Sequence, residues 1–150
     1  MSGKSSKSST SAGHAQRFVD GFVNPIQIVP TLRSVMLVED HLPSLKAMSR
    51  LLRQSKFAVH PFTDFEAALR WGQSHAFDLL MTDLQLPTHS GWELFESLSK
   101  KCPISAIAIS ACCTPEEIQR SASVGFLAHL TKPIDLKKLE QALALVPHKN

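Results

Sequence analysis

From Ser34 onward the apolar positions switch repeatedly between two periods. Val35-Met36-Leu37-Val38 is a continuous apolar run that ends in Glu39 and Asp40, the pattern of a strand buried on both faces. A helical stretch follows, with Pro43 suited to its first turn and Leu45, Met48, Leu51 and Leu52 on one face. Phe57 to Phe62 predicts a second, weaker strand, where Pro61 suits an edge or an end. Thr63-Asp64-Phe65-Glu66 has the form of a capping box and opens a short helix to about Trp71. Asp78 to Asp83 is the third strand. Ser90-Gly91-Trp92-Glu93 is a second box, before a helix carrying Leu94, Phe95 and Leu98. Ile104 to Ser110 is the fourth strand, and Thr114-Pro115-Glu116-Glu117 a third box with Pro at the first helical position. Leu127 to Leu130 is the fifth strand. Asp135 caps a last helix with Leu136, Leu139, Leu143 and Val146 on one stripe.

Five strands alternating with five helices predict an α/β fold: a doubly wound parallel sheet with right-handed crossovers and both faces covered. Ligands bind such sheets outside the carboxyl ends of the strands, where the strand order reverses. Those ends carry Glu39 and Asp40, then Asp83, Ser110 and Lys132-Pro133. Two carboxylates about 4 Å apart repel by about 4 kcal/mol at an effective dielectric of about 20, so three sharing a pocket require a raised pKa or a bound cation. All-oxygen ligands suit Mg²⁺, which completes its shell with water and phosphate oxygens. Acids, an ammonium and a hydroxyl around one carboxylate suit a phosphoryl group carried on that carboxylate.

Charge and composition narrow the class. Residues 1–33 hold Lys4, Lys7, Arg17 and Arg33 against Asp20, which accounts for the whole net charge of +3. From Ser34 onward 12 basic residues face 12 acidic ones. No concentrated basic face stands out, so direct DNA binding is not expected. The three cysteines and seven histidines show no zinc-ligand or redox spacing. The Ser-rich start lacks the apolar core of a secretory signal, and residues 18–32 are too short and too broken to span a membrane. The expected organisation is a disordered Ser-rich leader and linker over residues 1–33 and one cytoplasmic domain over residues 34–147.

The strand-end residues resemble the receiver domain of bacterial response regulators. Val38-Glu39-Asp40, Asp83-Leu84-Gln85-Leu86-Pro87 with Gly91, Ile109-Ser110-Ala111 and Leu130-Thr131-Lys132-Pro133 carry the likeness. It covers residues 34–146. The run from Gly125 to Pro133 looks most like receivers attached to hybrid histidine kinases. The resemblance implies a flavodoxin-like five-stranded sheet of order 2-1-3-4-5. It implies Asp83 as phospho-acceptor and Mg²⁺ held by Glu39, Asp40, Asp83 and the backbone carbonyl of Gln85. It also implies Ser110 as switch hydroxyl, Lys132 as phosphoryl contact and a cis Lys132-Pro133 bond. His129 stands at the switch position usually held by Tyr or Phe, and Gln85 and Cys112 at the positions that tune dephosphorylation. The implied partners are a histidine kinase or histidine phosphotransfer protein and a downstream protein target. No enzyme activity is expected beyond self-phosphorylation and self-dephosphorylation.

Competing readings make distinct demands. An aspartate-nucleophile phosphatase often carries a second acid two residues past the nucleophile, where Gln85 stands. A binding-only pseudo-receiver would be expected to lack one of the five key residues. A flavodoxin-like cofactor carrier would need a phosphate-cradling loop where His41-Leu42-Pro43 stands. Asp64, Asp78 and Asp135 read as structural caps or strand-entry residues, and Trp71 and Trp92 as packing.

Overall fold

The computed structural model describes residues 17–19, 22–24 and 32–148. The chain divides into two compact units, Met1–Leu32 and Arg33–Asn150. In the first, β1 (Arg17–Val19) and β2 (Phe22–Asn24) pair antiparallel. This pair falls within the stretch expected to be leader and linker, and nothing in its short apolar runs marked it as strand. The remainder of that stretch up to residue 31 lies outside the described residues.

The second unit holds β3 (Arg33–Val38), α1 (Leu42–Gln54), β4 (Phe57–Phe62), α2 (Phe65–Ser74), β5 (Leu79–Asp83) and α3 (Gly91–Ser99). It continues with β6 (Ser105–Ser110), α4 (Pro115–Val124), β7 (Ala128–Thr131) and α5 (Leu136–Leu143). Its sheet is parallel throughout, in the order β4-β3-β5-β6-β7. Counted within this sheet, that is the expected 2-1-3-4-5.

The sheet is covered twice because its central strands are apolar on both faces. Val35, Leu37, Leu79, Met81, Ile107 and Ile109 pack beneath α1 and α5. Their neighbours Met36, Val38, Leu80, Ala106 and Ala108 pack with α2 and α3 on the other side. The two-residue period of a strand produces this division. Leu45, Met48 and Leu52 turn one stripe of α1 inward; Leu139, Ala142 and Leu143 do so for α5.

Helix starts follow the capping chemistry with two adjustments. Ser90 and Glu93 make both halves of a capping box, and Asp135 accepts from the Lys138 N–H at 2.8 Å. At α2 the cap is Asp64, which accepts from Ala67 N–H at 2.8 Å, not Thr63. Its carboxylate reaches the third helical N–H, so the helix begins one residue later and runs on to Ser74. At α4 Thr114 accepts from Glu117 N–H, but Glu117 Oε1 is buried without a hydrogen-bond partner, so that box is half made. Gly125 closes α4 at φ 117°, a conformation only glycine adopts cheaply.

Candidate functional site

Parallel strands end together, and the ends of β3, β5, β6 and β7 deliver the expected side chains to one edge. Asp83 is the last residue of β5, and Glu39 follows β3 directly. Carboxylate oxygens of Glu39, Asp40 and Asp83 lie within 4.8 Å of one another. Lys132, just past β7, sends Nζ between two of them, 2.6 Å from Glu39 Oε1 and 2.8 Å from Asp83 Oδ2. The Lys132-Pro133 bond is cis.

Each acid is held differently. Glu39 is fully buried, and its second oxygen accepts from His41 N–H at 3.0 Å. Asp83 is 5% exposed; its Oδ1 accepts from Gln85 N–H at 2.9 Å. Asp40 is exposed. Three carboxylates against one ammonium leave two formal negative charges, which a divalent cation would neutralise. The donors are all oxygen, and Asp40 has the greatest freedom to turn toward an ion. The set therefore fits Mg²⁺.

Burial holds the Glu39 carboxyl above the usual carboxylate range; Lys132 and the His41 N–H pull it down, and the Asp83 charge pushes it up. Burial also opposes the Lys132 charge, but the hydrogen bonds and charges of Asp83 and Glu39 outweigh it and raise the ammonium above the ordinary lysine value. The lysine is thus a fixed cation at any physiological pH.

The loop after Asp83 is tight. Gly91 N–H donates to Leu84 O at 3.0 Å, and a Cβ on Gly91 would collide with the Asp83 carbonyl oxygen. Thr82, which sequence reasoning did not single out, donates its hydroxyl to that same carbonyl at 2.9 Å. Its strand period points it away from the acids, so no pattern marked it.

Ser110 is fully buried at the end of β6. Its hydroxyl donates to the Cys112 carbonyl and accepts from Cys112 N–H at 3.1 Å. It thus stands at the cluster's edge, bonded to the backbone of one expected tuning residue and not to Asp83. Cys112 itself is exposed. Gln85 contributes its N–H to Asp83 as described.

His129 turns toward α4. Its Nδ1 meets Ser121 Oγ at 3.0 Å, and the Trp92 indole donates to the same hydroxyl at 3.1 Å. Trp92 packs as expected, at 9% exposure, with the Arg120 guanidinium 4.1 Å above its ring. The signal for Ser121 was available: a buried indole N–H needs an acceptor. His129 Nε2 is buried without a partner. Burial lowers the imidazole's pKa against the pull of Glu117. A histidine held neutral in the fold and free to protonate in the unfolded chain removes stability as pH falls through its unfolded value, near 6.5. Replacing His129 with Phe should therefore shrink the loss of urea midpoint between about pH 8 and about pH 5.5. An unchanged loss would show that other groups cause it.

The sequence profile of the response regulator receiver domain matches residues 35–144. The chain belongs to that family. Receiver domains of this family serve two-component signalling, and Mg²⁺ and phosphorylation are typical of them. The virulence sensor protein BvgS of Bordetella pertussis is 31% identical over 73% of this chain and 10% of its own length. The two-component response regulator ARR12 of Arabidopsis thaliana is 26% identical over 74% of this chain and 19% of its own. The chain thus spans a fifth or less of these relatives. The non-phosphorylated HemR receiver domain of Leptospira biflexa superposes with a TM-score of 0.71 at 26% identity, covering 79% of this chain and 97% of that one. Among the described residues no helix is long and apolar enough to cross a membrane.

Proposed function

We propose that this receiver takes a phosphoryl group from a phosphohistidine of a histidine kinase or histidine phosphotransfer protein onto Asp83. One observation carries the reading: a buried carboxylate at a strand end, oriented by Gln85 N–H and Lys132, with two further carboxylates within 4.8 Å. An Asp83 oxygen attacks phosphorus, the phosphorus–nitrogen bond breaks, and its electron pair returns to the donor imidazole. Mg²⁺, held by Asp40 and Asp83 with Glu39 and the Gln85 carbonyl in support, would offset charge on the phosphoryl oxygens. Lys132 exchanges part of its carboxylate contact for a phosphoryl oxygen. Ser110 leaves the Cys112 backbone to bond another, and His129 and α4 respond to that shift. The chain acts only on its own phosphorylation and dephosphorylation, and its output is a protein contact.

Incubation with acetyl phosphate and Mg²⁺ tests this. Intact mass should rise by one phosphoryl group, EDTA should prevent the gain, and peptide mapping should place the group on Asp83. No adduct, or an adduct elsewhere, would overturn the assignment. Without any phosphodonor, Mg²⁺ should raise stability by about 1.4 kcal/mol once the free ion exceeds its Kd about tenfold. Asp40→Ala should lose most of that gain in thermal melts. An equal gain in the variant would place the ion elsewhere.

A further inference from the structure

The two flanks of α1 differ in chemistry. Along one, Ser44, Ala47 and Leu51 border a groove of about 340 Å³ that ends at Lys132, Pro133 and Ile134, beside the acidic cluster. Along the other, Lys46, Arg50 and Arg53 border a groove of about 680 Å³ that also takes in Leu42, Leu45 and Pro61 of β4. The three cations are spaced by four and three residues, so they form one stripe over about 10 Å of helix axis. All are exposed, and none makes an ion pair among the described residues. No Asp or Glu occurs between Asp40 and Asp64, while Lys56 adds a fourth cation just beyond the helix. The even balance of acids and bases over the folded part hides this face, which corrects the expectation that no concentrated basic face exists.

The stripe does not serve the fold. Like charges four residues apart, such as Lys46 and Arg50, destabilise a helix by a few tenths of a kcal/mol. The groove adds an apolar component: Leu42, one turn before Lys46, is 53% exposed, and Pro61 is exposed as well.

The edge strand limits what can lie there. The Phe62 carbonyl accepts from Glu39 N–H at 3.0 Å, so by alternation Phe57, Val59 and Pro61 turn their backbone groups outward. Pro61 has no N–H to offer, which blocks an added strand beside the groove. A nucleic acid is a poor match, because three or four phosphate contacts give little affinity at physiological salt and leave Leu42 and Pro61 uncovered. A helix lying along α1 meets all three cations with its own three- and four-residue spacing and covers Leu42 with an apolar residue one turn away.

We propose that the Lys46–Arg50–Arg53 groove docks an acidic amphipathic helix of a partner protein. The contact needs no phosphoryl group on Asp83 and stands apart from the function proposed above. A labelled helical peptide of roughly 20 residues, about 30 Å long, with Glu at the matching spacing and Leu one turn away, tests it on the full chain. It should bind at about 50 mM salt at least tenfold tighter than the same peptide with Gln for Glu, and tighter than a single-stranded or duplex oligonucleotide. Raising salt to about 0.3 M should weaken it tenfold or more, as the Debye length shortens. Lys46→Glu/Arg50→Glu/Arg53→Glu should abolish binding, and the milder triple change to Gln should weaken it at least tenfold. Both variants should keep the wild-type circular dichroism spectrum and the wild-type mass gain with acetyl phosphate. Equal binding of the Glu and Gln peptides, tighter binding of an oligonucleotide, or unimpaired binding by the Gln variant would each overturn the proposal.

Discussion

Changing Asp83 to Asn should leave a folded protein that gains no phosphoryl group from acetyl phosphate and Mg²⁺. Asn has the shape of Asp but offers a neutral amide in place of an anionic nucleophile. The neighbouring acids are poor substitutes. Both oxygens of Glu39 are engaged, by Lys132 and by His41 N–H. Asp40 is exposed and lacks the pairing with Lys132 and Gln85 N–H that orients Asp83. The effect is therefore near complete, read as absence of the adduct under conditions that label the wild type. The loss cannot be blamed on unfolding. Two carboxylates about 4 Å apart repel by about 4 kcal/mol at an effective dielectric of about 20, and Asn removes that repulsion while giving up one contact with Lys132. In metal-free buffer the variant should match or exceed wild-type stability. A phosphoryl group on Asp83 would carry about −1.5 to −2 charges while the carboxylate gives up its own, a net change of about −0.5 to −1 at this point. Reversing a two-state surface from 1:99 to 99:1 takes about 5.5 kcal/mol, a demand that charge-assisted bonds from Lys132 and Ser110 can go far to meet. Labelling of the Asn variant at the wild-type rate would end the assignment of Asp83.

The parts that were legible in the sequence share a physical cause. Strands buried on both faces must be continuously apolar, so a carboxylate at the end of Val35-Met36-Leu37-Val38 or of Leu79 to Thr82 marks where the sheet meets water. Parallel strands then bring those ends together without further information, and that placed Glu39, Asp83, Ser110 and Lys132 along one edge. The cluster's internal bonding was not legible. The resemblance assigned Lys132 to a phosphoryl group, whereas here its ammonium bridges Glu39 and Asp83, because two buried carboxylates draw in the nearest cation. The Trp92–Ser121–His129 contacts join α3, α4 and β7, and no one-dimensional period encodes meetings between three elements. Asp64 displaced Thr63 as a cap because both are good caps and only the local backbone decides between them. The basic flank of α1 was hidden by counting charge over the whole domain instead of along one helical stripe.

That bridging lysine leads to the second large effect. In EDTA, Lys132→Met should cost about 3–5 kcal/mol near pH 7.5, the usual penalty for removing one partner of a buried ion pair. Glu39 is fully buried, so its charge would face Asp83 with no cation between them. The penalty should depend on pH in a definite direction. Glu39 is already held above its ordinary value of 4.5 by burial, with Lys132 pulling it down. Removing the lysine raises it further. A carboxylate whose folded pKa lies above its unfolded value loses stability as pH rises through that interval and regains it as pH falls. The gap between wild type and variant should accordingly narrow by at least half from about pH 7.5 to about pH 4.5. The alkaline arm runs the other way. Lys132 has its pKa raised in the fold, so its stabilisation is present below the ordinary lysine value and fades as pH climbs through the folded one. Only the wild type should show that fade. Glu39→Gln placed on top of Lys132→Met should restore a large share of the loss at neutral pH, because the buried charge is gone. Urea denaturation of the three proteins across pH measures all of this. A penalty of equal size at every pH, with no rescue by Gln, would mean that Lys132 stabilises the domain through the packing of its methylene chain and not through its charge.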